Sequence, residues 1–488
     1  VSENIADQHQ VRLQKLQALR EANIEPFPYK FDKTHDTQRL LDQFDSFVAS
    51  GETVSLAGRL MTIRSMGKSI FAHLQDGTGQ MQIYVKKDNV SEDEFKLFNK
   101  ADIGDIYGIS GTPFVTHKGE RSIAVKQLQL LAKSLRPLPE KWHGLQDKET
   151  RYRRRYLDLI ANPEVLEVFK KRSQIIRAVR DFLDTEGFIE VETPILQPIY
   201  GGAAARPFTT HHNKLDMELF LRIADELYLK RLIVGGFEKV WEFCKDFRNE
   251  GFDRNHNTEF SMIELYWAYA DYYDIMDLYR RMVLFVAEKV LGTTTVQFDD
   301  HTIELSGEWT RLPLLQAISD AVGEDISELA ELELRQLCGR VRIDTEGVVG
   351  RGKLIDALFS ERVKSHLIQP TFIMDHPKEM SPLAKPHRDK PGLTERFQVI
   401  AGGLELCNAF SELNDPIDQK ERFQKQVELA KAGDEDAPAV LDEDYIYCLE
   451  HGMPPTGGLG FGVDRLVMLL LNQHSIRDVI LFPQMKPE

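Results

Sequence analysis

The sequence is short of cysteine, of long apolar runs and of positive charge, and each shortage excludes a class of protein. Its four cysteines, Cys244, Cys338, Cys407 and Cys448, stand far apart with no CxxC pair. Neither a zinc site nor a disulfide framework is expected, and all four read as buried thiols. No run of about 18 apolar residues offers a membrane span, and the first residues lack a charged-then-apolar leader. Residence in the cytoplasm, away from membranes, is the expectation. With 61 Lys and Arg against 77 Asp and Glu, the net charge is −16. Such a surface has no general attraction for polyanions, so a nucleic acid would be met by local basic patches.

The 488 residues leave room for two or three domains, each with its own core. Residues 1–53 read as an N-terminal helical segment, in which Arg12, Lys15 and Arg20 punctuate Leu13, Leu16 and Leu19 at helical spacing. Its basic face suits either RNA or solvent. Residues 54–135 carry five short strand patterns with one helical pattern after the third, which predicts a closed barrel of the OB type. In SIFAHLQ, Phe71, His73 and Gln75 share one face and Ile70, Ala72 and Leu74 the other. Phe71 therefore sits with the polar set, where a ring can stack on an unpaired base. Residues 136–155 read as a linker ending in the arginine run RYRRRYLDL, which either faces RNA or pairs with acidic neighbours.

From residue 156 to 488 the pattern mixes long helices with antiparallel strands and predicts an α+β domain whose sheet is flanked by helices. Helical periodicity runs from Pro163 toward Gly187, and leucines at helical spacing mark a helical insertion over about 311–369. Three short stretches stand out. In FRNEGFDRNHNTEF (247–260), Arg248 and Glu250 are two apart and share a face if the segment is a strand, which suits a phosphate clamp or a plain surface ion pair. GGLGFGVDRLVMLLL (457–471) reads as a glycine-rich loop opening an apolar helix, with Arg465 at its start and Asp464 able to cap it. GFIEVETPILQP (187–198) alternates like an edge strand and meets Pro194, a form suited to an ordinary sheet edge or to an oligomer contact.

Strand parity places a pocket. In FSMIELYW, Phe260, Met262, Glu264 and Tyr266 face one way. Glu264 is a carboxylate in an apolar strand and needs a cationic partner. Glu412 follows Asn408 and Phe410 at period two, and Glu226 adds a third carboxylate. Either the three surround one cavity, or single members are structural ion pairs, with Arg222 a candidate partner.

In this combination the three stretches resemble motifs 2, 3 and 1 of the class II aminoacyl-tRNA synthetases. Together with GGAAARPF (201–208), LRIADELYLKRL (221–232), SPLAK (381–385) and NAFSELNDP (408–416), they resemble the bacterial-type lysyl-tRNA synthetase branch over nearly the whole chain. The resemblance implies a homodimeric ligase that uses ATP and Mg2+ to join L-lysine to tRNA(Lys), with no protein nucleophile. It implies Glu412 and Tyr266 on the side-chain amine, Glu226 and Glu264 on the α-amine, Arg248 and Asn408 near the carboxylate, and Phe410 along the stem, with the Gly201–Gly202 turn closing over. For ATP it implies Arg248 on the α-phosphate, Glu250 at the adenine edge and Phe260 under the ring. His256 and Asn257 would stand near the phosphates, Arg465 on the far ones, and Glu405 and Asn408 at the same site. Arg248 and Arg465 would be the catalytic pair. Arg64, Phe71 and Gln82 match anticodon-reading positions.

One departure concerns the metal. Glu405 matches one carboxylate that holds Mg2+, but the other familiar position is Gln398, whose amide brings no charge. Glu405 and Asn408 are also three apart, so both reach a ligand only across a β-bulge. An aspartyl or asparaginyl enzyme would be expected to offer a cation where this chain has Glu412. A protein-modifying lysine ligase would lack the barrel, and a noncatalytic RNA-binding paralogue would lose the motif arginines.

Overall fold

A computed structural model describes residues 2–139, 145–431, 438 and 440–487. The chain divides into two compact units, Val1–Gln146 and Asp147–Glu488.

In the first unit, β1 (Val54–Met66), β2 (Ser69–Gln75), β3 (Gln80–Lys86), β4 (Ile106–Val115) and β5 (Arg121–Ala132) close into a barrel in the order β1-β2-β3-β5-β4. The expected helix, Glu92–Asn99, follows β3 and starts on a Ser91 capping box. Alternation does the folding: Ile70, Ala72 and Leu74 are buried inside and Phe71 is left on the outer face. The basic face of the helix Ser2–Glu21 is not free. Arg12 donates to the carbonyls of Ile103, Ser134 and Arg136, and Lys15 pairs with Asp102 at 2.6 Å.

The linker expected to reach residue 155 stops earlier, because helices Lys148–Arg153 and Arg155–Ala161 belong to the second unit. Their arginines pair locally: Arg151 and Arg155 flank the fully buried Asp158 at 2.8 and 2.7 Å, and Arg153 holds Glu149 at 2.6 Å. Residues 140–144 of that segment lie outside the described residues.

The second unit is built on an eight-stranded sheet. Its order is Thr310–Pro313, Thr371–Met374, Arg396–Ala401, Leu404–Ser411, Thr456–Gly462, Glu259–Ala268, Lys239–Phe247 and Ile189–Glu190. Neighbours are antiparallel except at the two edges. The helices Pro163–Thr185, Tyr272–Leu291 and Val463–Leu470 bury one face in a core with Ile263, Leu265, Leu459 and Phe461. Helices Leu314–Val322, Glu331–Arg340 and Arg351–Arg362 occupy the expected insertion and form their own core.

Two local expectations are corrected. The glycine-rich segment is not a loop but the strand Thr456–Gly462 in the middle of the sheet, paired on both sides. Its glycines make room: a Cβ on Gly457 would lie 2.6 Å from Ile275, and one on Gly458 would lie 2.6 Å from the Tyr266 ring. Arg248 and Glu250 are not in a strand either, since that strand ends at Phe247, although the Arg248 N–H still donates to the Thr258 carbonyl at 2.9 Å. The anticipated bulge exists. Val399 pairs with Cys407 but Ile400 with Glu405, so Leu406 is an extra residue in its strand.

Candidate functional site

The sheet face opposite the core lines a cavity of about 710 Å³. Arg248, Glu250, His256, Asn257, Phe260, Glu264 and Tyr266 reach it from one hairpin, Gly202 and Glu226 from the preceding turn and helix. Glu405, Asn408, Phe410, Glu412 and Arg465 complete that wall. Every candidate from the catalytic half is there except Gln398, whose carbonyl oxygen is 3.3 Å from the ring Nε2 of buried His376.

One end of the cavity is cationic. The Arg248 guanidinium lies 5.1 Å from the centre of the Phe260 ring, and its buried Nε has no partner among the described residues. Arg465 donates to the Glu405 carbonyl at 3.0 Å and stands 3.1 Å from His256 Nε2. Asp464 does not cap its helix. It accepts from the Ser261 N–H at 2.8 Å and pairs with Arg172 at 2.7 Å, which turns Arg465 the other way. Burial is the strongest influence on the Glu405 carboxyl and would raise it, but Arg465, Lys364, Arg396 and Arg248 hold it below the ordinary range. An ionised Glu405 among arginines leaves surplus positive charge for an anion such as a phosphate chain.

The other end is acidic. Glu226, Glu264 and Glu412 are buried, and burial pushes each carboxyl above its ordinary range. Glu264 has no ion-pair partner among the described residues, only a hydrogen bond from the Tyr266 hydroxyl at 3.1 Å. Carboxylates in this state gain most from an incoming cation. Arg222 does not serve them: it pairs with Glu242 at 2.7 Å and lies 3.5 Å from Asp246. Asp225, Cys244 and Asp246 bring ligand atoms within 4.8 Å of one another, but Arg222 already supplies positive charge there.

Some side chains are committed elsewhere. Asn257 lines the cavity, yet its amide donates to the Glu259 carbonyl at 2.6 Å and accepts from the Gln484 N–H at 3.3 Å. Asn408 accepts from Arg396 Nε at 2.8 Å. Glu412 is ion-paired to Lys230. Lys230, Arg396, Asp356 and Gly458 were not singled out by sequence. Asp356, on the insertion helix, lines the cavity and raises no flag in sequence because a helical aspartate is ordinary. Cys448 is half-buried, not buried like the other three thiols.

On the barrel, Arg64, Phe71 and Tyr84 are neighbours across three strands, and the Phe71 and Tyr84 rings lie 4.8 Å apart. Phe114 extends the aromatic face at 5.9 Å from Tyr84. Gln82 is buried and its carbonyl accepts from Ser122 at 2.6 Å, which leaves only its NH2 for another partner.

A family model of the class II tRNA synthetases (D, K and N) matches residues 147–486, and one of the OB-fold nucleic acid binding domain matches residues 54–138. The chain is 54% identical to the lysine–tRNA ligase of Carboxydothermus hydrogenoformans, over 98% of this chain and 97% of that protein. It is 55% identical to that of Moorella thermoacetica over the same shares, and 50% identical to that of Oceanobacillus iheyensis over the full length of both. The chain belongs to the class II tRNA synthetases, as a two-unit member that joins an OB-fold barrel to the family's catalytic sheet.

Proposed function

We propose that this chain activates L-lysine with ATP and transfers it to the 3′ end of tRNA(Lys). The observation that carries this reading is the division of one cavity into an arginine end and an end with three buried carboxylates. The lysine carboxylate attacks the α-phosphorus of ATP, forming lysyl-adenylate and releasing pyrophosphate. The terminal ribose of the tRNA then takes the lysyl group and AMP leaves. Arg248 meets the α-phosphate, Phe260 lies under the adenine and Arg465 meets the far phosphates, so positioning and charge stabilisation do the work. Glu226, Glu264, Tyr266 and Glu412 take the two amines. Two unit charges 4 Å apart attract by about 4 kcal/mol at an effective dielectric of 20, enough to reject an uncharged side chain that leaves a carboxylate unpaired.

Magnesium is commonly held by one or two carboxylates together with substrate phosphates. Glu405 fits this as the one charged residue of the expected pair, and Asp356 lines the same cavity; Gln398 faces His376 and contributes no charge. Bound there, the ion would neutralise charge on the phosphates. The barrel face of Arg64, Phe71 and Tyr84 suits the bases of an anticodon. Ile189 on the edge strand of the eight-stranded sheet and Ile195 and Leu196 shortly after it are exposed, which favours a homodimer. No helix among the described residues is long and apolar enough to cross a membrane, and the proposed place of work is the cytoplasm. The test is ATP–pyrophosphate exchange with each of the twenty amino acids. Exchange with lysine alone is expected, and exchange with aspartate or asparagine in its place would overturn the reading.

A further inference from the structure

Lys230 lies in the helix Glu226–Val234, one turn after Glu226. It is 0% exposed, and its ammonium is ion-paired to both Glu226 and Glu412. It also lies 5.7 Å from the centre of the Tyr266 ring and 5.3 Å from that of Phe410. These four partners line the amino-acid end of the cavity, but Lys230 is not among the lining residues. The ammonium is therefore behind the wall. The other titratable groups that act on this cluster are Tyr445 from the helix Glu443–Glu450, Glu264, which interacts with Glu226 directly and bonds Tyr266, Asp225 on Tyr266 and Glu264, Asp246 on Glu264, and Arg396 on Glu226.

A buried carboxylate without a counter-ion takes up a proton. Burial drives Glu226 and Glu412 in that direction, and the strongest opposing influence on each is Lys230. Burial in turn works against the Lys230 charge, but Glu226 and Glu412 reverse the balance and keep its pKa above the ordinary lysine value.

We propose that Lys230 is a positioning residue that sets the charge specificity of the pocket: a fixed counter-ion behind the wall that draws Glu226 and Glu412 toward the ionised form against the pull of burial and aims them while the cavity is empty. The inference rests on the lysine reading above and adds the residue that makes the carboxylates ready. Without this ammonium the wall holds a proton, and an arriving lysine must displace it, releasing one proton to solvent for each amino acid bound.

The test uses the full chain with Lys230→Met and Lys230→Arg. Lysine KM and kcat are measured by pyrophosphate exchange from pH 6.5 to 8.5, and proton release on lysine binding by calorimetry in two buffers of different ionisation heat. Lys230→Met is expected to raise lysine KM at least tenfold at pH 6.5, with the deficit shrinking as the pH rises and with extra proton release. kcat should change less, and Lys230→Arg should restore the native profile. A KM profile for Lys230→Met parallel to the native one, with no extra proton released, overturns the inference, because a merely structural role lowers activity without adding a pH slope. If circular dichroism shows that Lys230→Met does not fold, Lys230→Gln is measured under the same criteria. A native chain that does not activate lysine sinks the lysine reading; a native chain that does, with an unaltered variant profile, sinks only the role of Lys230.

Discussion

Gly458 lies flat against the carboxylate of Glu412: a Cβ at that position would collide with the carboxylate and with the Tyr266 ring. The contact ties the central strand to the acidic end of the cavity. Gly458→Ala must displace Glu412 or Tyr266, so lysine KM is expected to rise more than tenfold while ATP KM changes little. Pyrophosphate exchange at varied lysine and varied ATP separates the two, and an unchanged lysine KM would show that the amino acid sits elsewhere.

Arg248 offers a buried Nε without a partner and a guanidinium stacked on Phe260. Arg248→Ala is expected to abolish lysine-dependent exchange, on the scale of the roughly 100- to 1,000-fold loss seen when one preorganised charge-stabilising donor is removed. Arg248→Lys should recover little, since an ammonium neither stacks nor forks. Near-normal exchange in Arg248→Ala would refute its placement on the α-phosphate.

The barrel predicts a different phenotype. Phe71→Ala removes one ring from a pair 4.8 Å apart on the outer face, and base stacking of this kind is worth about 1–3 kcal/mol. Binding of tRNA should weaken about tenfold or more, with pyrophosphate exchange unchanged because that step needs no tRNA. Loss of exchange together with tRNA binding would point to a folding defect.

Asp76 gives a pH signature to the barrel. Burial opposes its charge most strongly, but Lys33, the Thr78 hydroxyl and N–H, and the Thr37 N–H outweigh it and hold the pKa down to about 2. A carboxyl depressed in the folded state contributes stability above its unfolded pKa, near 4, and loses it as pH falls through about 2. Asp76→Asn should therefore destabilise the barrel by about 1–2 kcal/mol at neutral pH, with the gap to the native chain narrowing below pH 4. Thermal unfolding of the full chain at pH 7 and pH 3 checks this; an equal gap at both would exclude the carboxylate charge as its source.

Much of the site was legible because period two is a strict rule. Alternation alone puts Phe260, Met262, Glu264 and Tyr266 on one face, and the structure turns that face to the cavity. The same rule required a bulge between Glu405 and Asn408, and one is present. What could not be read was set by distant partners. Lys230 looks like any helix lysine until the chain brings Glu412 to it from 182 positions away. The arginines of RYRRRYLDL resemble an RNA patch until Asp158 is seen buried between two of them. The glycines of GGLG at 457–460 suggest a loop because local sequence does not reveal that Ile275 of a distant helix crowds Gly457 and that Glu412 and Tyr266 crowd Gly458.

The bulge at Leu406 has a consequence for how this pocket tolerates change in length. Leu406 and Cys407 both join the core on one side, so the register slips by one and Glu405 returns to the same side as Asn408. Deleting Leu406 would leave a regular ladder in which Glu405 and Asn408 are two apart and still share the cavity side, whereas one further residue inserted beside Leu406, with the bulge kept, would carry Glu405 through to the oily side of the sheet and strip the nucleotide end of its carboxylate. The wall thus bears the loss of its surplus residue but not a gain, because parity, and not the identity of Leu406, keeps the two halves of the reaction on one side.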